Sequence, residues 1–247
     1  LPLTGIDLIF RQVAAGEADY GVVPIENSTE GAVTHTLDSF LDSSLKICGE
    51  VELPIHHQLL SNAAELRAIK VVYSHRQSLA QCRQWLAQHL PCVELVPVSS
   101  NAEAAQRAAS EPGSGAIAGE SAALRYGLPT MASNIEDIPE NTTRFLVLGR
   151  QETRPTGRDK TTLMVATHNQ AGALHRLLAP LAEHEISMSR IESRPSRMDR
   201  WTYVFFIDLD GHAEEPVLAA ALQQLQQEAA LFRVLGSYPR NLEVTDR

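Results

Sequence analysis

Residues 4–15, TGIDLIFRQVAA, place Ile6, Ile9, Phe10 and Val13 on one helical face, and Gly16 follows as a stop signal. YGVVPIEN then reads as a short apolar strand over 20–25 that runs into a polar tip at Glu26–Thr29. EGAVTHTLDSFLDS predicts a helix and LKICGEVELPI an extended segment. AIKVVYSH is a second strand with a polar tip, Ser74–Gln77. QSLAQCRQWLAQHL predicts one continuous helix, with Leu79, Cys82, Leu86 and Leu90 at helical spacing. VELVPV is a strand. SSNAEAAQRAAS is a helix opened by Ser100-x-x-Glu103, a capping box. GAIAG, SAALRYG and RFLVLG predict a strand, a short helix and a last strand.

Strand and helix thus alternate over 4–149, which predicts a parallel α/β architecture. Ligands in such sheets sit beyond the carboxyl ends of strands, where both polar tips lie. RQETRPTGRDK (150–160) is cationic, carries Pro and Gly and has no large apolar residue, so it predicts an exposed linker. Beyond it, strand and helix patterns follow in the order βαββαβ, a ferredoxin-like split βαβ unit. The expected domains are 1–150, a linker 151–160 and a small domain 161–247.

Composition narrows the function classes. The chain has 247 residues, 44% hydrophobic side chains and a formal charge of -9. No basic stripe is present, which argues against nucleic acid as a partner. No apolar run approaches the roughly 18–20 residues that span a bilayer, so no membrane is expected. Cys48, Cys82 and Cys92 form no C-x-x-C pair and suit free thiols in a reducing, cytoplasmic setting. There is no H-E-x-x-H, no Cys/His zinc spacing, no G-x-G-x-x-G and no Walker loop, so neither metal nor cofactor is expected.

What remains is a set of neutral hydrogen-bonding groups and a few charges at strand tips. PIENSTEG reads equally as a solvated turn with a helix cap, YSHRQSLAQC as a helix start, and NTTRF as a surface loop before a strand. Taken together and in order, ENST, YSHRQSLAQC and NTTRF, followed by GALHRLL and IESRP, resemble prephenate dehydratase with a C-terminal ACT domain. The resemblance covers essentially the whole chain. It implies an α/β dehydratase domain of two subdomains, resembling a periplasmic binding protein, with the site in the cleft between them. The chain is expected to cross between subdomains near residue 53 and to return near 136. By the same resemblance the family's opening Gly-rich strand would precede Leu1, so the chain resembles an N-terminally truncated dehydratase, with or without a chorismate mutase domain upstream.

The family reaction takes prephenate to phenylpyruvate, water and carbon dioxide without a cofactor. The resemblance makes Thr143 the catalytic hydroxyl, with Glu26 as its acidic partner. It assigns substrate contacts to Arg144, Asn27, Ser28, Ser74, Gln81 and Phe145. Arg144 suits a bidentate pair with a substrate carboxylate. Neighbours in an extended strand point to opposite sides, so Thr143 and Arg144 share one ligand only if the backbone turns between them.

NQAGALHRLL resembles the family's N-x-P-G-A-L loop, with Ala171 in place of the usual Pro. The resemblance implies that L-phenylalanine binds there and at E-S-R-P, through Asn169, Ala171, Gly172, Ala173, Leu174, Glu192, Ser193 and Arg194. It also implies a homodimer, or a dimer of dimers, paired through ACT domains. Two rival readings stand beside the enzyme: a catalytically inactive chain that only binds phenylalanine, and, by fold analogy alone, a solute-binding protein.

Overall fold

The computed structural model describes residues 3–168, 170–196 and 203–240. Helix α1 (Ile6–Ala15) ends at Gly16, whose φ of 77° gives the left-handed cap that glycine adopts without a Cβ penalty. Strand β1 (Gly21–Asn27) turns back through β2 (Gly31–Ala32), a two-residue strand the sequence pattern merged into the next helix. Helix α2 (Thr34–Asp42) and strand β3 (Lys46–Pro54) follow. Next come β4 (Gln58–Ser61) and β5 (Val71–His75).

The expected single helix is two, α3 (Arg76–Gln81) and α4 (Arg83–His89), broken at Cys82 (φ −112°, ψ 17°). The Asp137 carboxylate caps the second, accepting from the backbone N–H of Gln84 at 2.9 Å and of Trp85 at 3.1 Å. Strand β6 (Glu94–Val98), helix α5 (Asn101–Ser110), strand β7 (Ser114–Ala118) and helix α6 (Glu120–Tyr126) match the pattern. Ser100 caps α5 as expected, accepting from Glu103 N at 3.1 Å. Strands β8 (Thr130–Ala132) and β9 (Thr142–Gly149) complete this part. The remainder is β10 (Asp159–Ala166), α7 (Ala173–Glu183), β11 (Met188–Pro195), β12 (Tyr203–Asp210), α8 (Pro216–Glu228) and β13 (Leu231–Pro239). That is the predicted βαββαβ order.

The chain divides into two compact units, Pro54–Thr142 and the combination of Leu1–Leu53 with Thr143–Arg247. The chain passes from one unit to the other after Leu53 and returns at Thr143. The Pro54–Thr142 unit is built on a sheet of order β6-β5-β7-β4-β8. Its pairs β5–β6 and β5–β7 are parallel, whereas β4 runs antiparallel to β7 and β8. The wholly parallel expectation is therefore corrected. β4 and β8 are too short to show a period in sequence, and their pairing is decided by tertiary contact.

The other unit holds two sheets, β2-β1-β9-β3 and β11-β12-β10-β13. The β10 side chains alternate between two cores. Leu163 and Val165 meet Leu177 and Leu181 of α7 and Leu218, Leu222 and Leu225 of α8. Met164 and Ala166 join Val204, Phe206 and Leu235 in a core with Phe10, Phe40, Val23, Ile25, Ile47, Leu146 and Leu148. A strand covered on both faces reads as a continuous apolar run rather than an alternating one. The second sheet is thereby fused to the first, the one that carries β9.

Candidate active site

Strand β9 starts at Thr142, so the NTTRF tip is strand and not loop. The register sets Asn27 opposite Thr143 and Glu26 opposite Arg144. A bulge between Pro24 and Glu26 resets the alternation of β1 there. Two faces result. On one, Asn27 Nδ2 donates to Thr143 Oγ1 at 2.9 Å. Asn27 Oδ1 accepts from the backbone N–H of Thr29 at 3.0 Å and of Glu30 at 3.1 Å. Two backbone donors on Oδ1 leave the amide nitrogen as the atom facing Thr143. The Thr143 oxygen is thus an acceptor in this pair, and the pair does not use the hydroxyl proton. Phe145, two residues on, shares the Thr143 face, and Ser28 sits exposed at the tip.

The opposite face carries Arg144, 9% exposed. Its Nε donates to Glu50 Oε2 at 2.6 Å, Nη1 to Asp208 Oδ2 at 2.6 Å and Nη2 to Tyr238 Oη at 3.1 Å. Glu26 Oε2 lies 3.9 Å from Arg144 Nη1 and 3.2 Å from Arg190 Nε. Lys160 Nζ donates to both Glu50 oxygens, at 2.9 and 2.8 Å. Thr162 Oγ1 reaches Asp208 Oδ1 and Tyr238 Oη, each at 2.7 Å. Burial works against the Arg144 charge, but Asp208, Tyr238 and Glu50 outweigh it and hold the guanidinium protonated above its ordinary range. Burial, with Asp208, raises the Tyr238 hydroxyl, which stays neutral.

The backbone does not turn between Thr143 and Arg144. Arg144 is a buried cation on the face away from Thr143, and its guanidinium is engaged by Glu50, Asp208 and Tyr238 where a substrate carboxylate was expected. Glu26 lies with Arg144 on that same face. Sequence reasoning missed Glu50, Lys160, Thr162, Asp208 and Tyr238. Their signal was present: polar or charged residues inside otherwise apolar strands are buried only when paired.

In the Pro54–Thr142 unit, Ser74 is fully buried at the end of β5. Its Oγ lies 2.8 Å from Ile117 O and 2.9 Å from Asn101 Oδ1, and Asn101 Nδ2 donates to Ser78 Oγ at 2.9 Å. Ser74 fastens β5 to β7 and α5, and Asn101 extends the link to α3. Gln81 Oε1 lies 2.7 Å from His57 Nε2, and since a carboxamide oxygen only accepts, Nε2 carries the proton.

At the start of α7, Gly172 adopts φ 75°, and Ala171, Gly172, Ala173 and Leu174 form the turn into the helix. Ala173 N is spent on Gln170 O at 3.1 Å, and Arg176 Nη1 donates to Ala171 O at 3.1 Å. Asn169 lies outside the described residues. Glu192, Ser193 and Arg194 lie on β11, an edge strand. Arg194 is engaged by Asp38 of α2 at 3.0 and 3.1 Å. Among the described residues no group of three or more His, Cys, Asp or Glu is arranged to hold a metal. None of their helices is long and apolar enough to cross a membrane.

The fold defines a two-part α/β protein whose second part is a βαββαβ module. The profile of the family Prephenate dehydratase matches residues 1–153 and that of the ACT domain residues 161–227. The chain belongs to the prephenate dehydratase family. It is 56% identical to a bifunctional chorismate mutase/prephenate dehydratase of Pseudomonas aeruginosa over 97% of this chain and 66% of the relative. It therefore spans just under two thirds of that relative's length. It is 40% identical to a prephenate dehydratase of Mycolicibacterium vanbaalenii, over 92% of this chain and 74% of the relative. The crystal structure of prephenate dehydratase in complex with L-Phe from Arthrobacter aurescens superposes with a TM-score of 0.90 at 38% identity, covering 100% of this chain and 83% of that one.

Proposed function

We propose that this chain dehydrates and decarboxylates prephenate to phenylpyruvate, as a cytoplasmic enzyme inhibited by L-phenylalanine. The observation that carries the proposal is the Asn27–Thr143 pair, in which the threonine oxygen accepts and its proton is left to give. The leaving ring hydroxyl takes that proton and departs as water, and Thr143 regains a proton from solvent. The C–C bond to the ring carboxylate breaks, its electron pair enters the ring, and carbon dioxide leaves. Aromatisation drives both cleavages, so the protein's work is to orient the ring and stabilise the departing oxygen. Asn27 positions the donor, and Ser28 and Phe145 contact substrate beside it. Glu26 acts through Asn27 and Arg144 rather than by direct proton transfer, since it lies on the other face. Phenylalanine is assigned to the turn at Ala171–Leu174 and to Glu192–Arg194.

The exposed apolar residues Met188, Ile191 and Tyr203 on β11 and β12 support pairing of ACT domains in a homodimer. A sedimentation experiment showing only monomer would remove that part.

Prephenate turnover, read as phenylpyruvate absorbance, tests the activity. Thr143→Ala is expected to lower kcat by about 10²–10⁴ with KM little changed, and Thr143→Ser to restore part of it. Asn27→Ala is expected to lower kcat about tenfold or more by releasing the hydroxyl rotor. Wild-type kcat in Thr143→Ala removes Thr143 from the mechanism. Phenylalanine binding without any turnover favours the rival reading of a binding module.

A further inference from the structure

Among the described residues four ion pairs join the dehydratase part to the ACT sheet, and three of them form one continuous string. Arg190 of β11 pairs with Glu26 of β1, Asp208 of β12 with Arg144 of β9, and Lys160 of β10 with Glu50 of β3. Glu26 and Glu50 each also approach Arg144, at 3.9 and 2.6 Å, so the string closes on that guanidinium. Arg190 precedes the segment assigned to phenylalanine and Arg194 is its last residue, and both pair with carboxylates of the dehydratase part. Arg190 Nη2 is buried with no hydrogen-bond partner among the described residues, so this link is held by Nε alone.

We propose that occupation of the ACT domain is transmitted to Thr143 through Arg190, Glu26, Arg144 and Asp208, which act as positioning residues. The inference rests on the dehydratase reading. The buried Arg144 guanidinium cannot release Asp208 without leaving an unpaired charge in a dry site, so movement of β12 carries Arg144 with it, while Glu26, its side chain 40% exposed, follows Arg190 of β11 through a partly solvated ion pair. Arg144 shares a peptide unit with Thr143, and Glu26 shares one with Asn27. Both members of the Asn27–Thr143 hydrogen bond are therefore attached to the string, while their side chains face away from it. The string turns the donor hydroxyl without touching substrate. Coupling of this kind is reciprocal: a substrate analogue held at Thr143 changes the affinity for phenylalanine by the same factor that phenylalanine changes its own.

The test uses the full chain, with Asp208→Asn and Arg190→Gln, and with Tyr238→Phe as a gentler change that keeps every charge. For each, prephenate turnover is titrated with phenylalanine, and phenylalanine binding is measured by calorimetry. The expected result is uninhibited kcat and phenylalanine Kd within about threefold of wild type, with half-inhibition moved upward about tenfold or more. A purely structural role would lower melting temperature and kcat and leave the inhibition curve in place. Variants that bind phenylalanine and turn over prephenate with wild-type inhibition overturn the relay. If both charge variants fail to fold, Tyr238→Phe decides: it removes the acceptor of Arg144 Nη2 within the relay, and a wild-type inhibition curve there overturns the relay too. Wild-type chain without turnover overturns the dehydratase reading instead, and wild-type turnover insensitive to bound phenylalanine overturns the regulatory one.

Discussion

Arg144 reaches Glu50 and Asp208 at 2.6 Å each, across 94 and 64 residues of chain. Truncation leaves two carboxylates buried without their cation, so Arg144→Ala is expected to cost about 3–5 kcal/mol in urea unfolding at unchanged m-value. A cost below about 1 kcal/mol would show the site to be wet and the charges screened. In sequence Arg144 was a cation beside a candidate hydroxyl, a natural anion clamp. The strand alternation that directs it away was also legible; what it would meet on the far face was not. The thiols separate in the same way. Burial, aided by Asp137 and Glu136, pushes the Cys82 thiol up to about 12, whereas Cys92 is exposed. At neutral pH Cys92 is expected to react with a maleimide in the native state and Cys82 only on unfolding. Cys92→Ser should remove the fast phase.

At the level of elements, Glu136 holds the segment after β8 against the segment before β4. Its carboxylate contacts His56 Nδ1 at 2.7 Å and accepts from His57 N at 2.9 Å. Burial raises the Glu136 carboxyl, but these hydrogen bonds outweigh it and leave it below its ordinary value. A depressed carboxyl stabilises the fold above the ordinary range near pH 4, and that stability is lost as pH falls through the native value. Glu136→Gln should be destabilised at neutral pH and should flatten the acid limb of stability against pH. An unchanged acid limb would remove Glu136 as its source. Strand β13 carries a second constraint. A Cβ at Gly236 would collide with the backbone of Ile47, so close is the approach of β13 to β3. Gly236→Ala is expected to cost about 2 kcal/mol or more, read as a fall in melting temperature. Neither constraint has a local sequence signal, because each depends on backbone brought near by packing.

Across the whole molecule, the ACT sheet is not a pendant module. Its face of Met164, Ala166, Val204, Phe206 and Leu235 shares a core with α1, α2, β1, β3 and β9. The periodicity and turn residues of 161–240 foretold the βαββαβ order, but the 150–160 stretch read as an exposed linker ends inside β10, where Asp159 and Lys160 are buried. The polar interruptions inside β3, β10 and β12 were visible but unassigned, because one strand's pattern does not name the strand that will face it. Local patterning, caps and short motifs along the chain determined the elements and the two-part organisation, and the resemblance those motifs carry pointed to the family and to Thr143 and Asn27 as candidates. Tertiary structure alone decided the antiparallel β4 and β8, the break at Cys82, the return at Thr143 and the partners of Arg144, Ser74 and Arg194. The physical reason is range: helix and strand periodicity are written within a few residues, whereas a buried charge is defined by groups that the fold delivers from far along the chain.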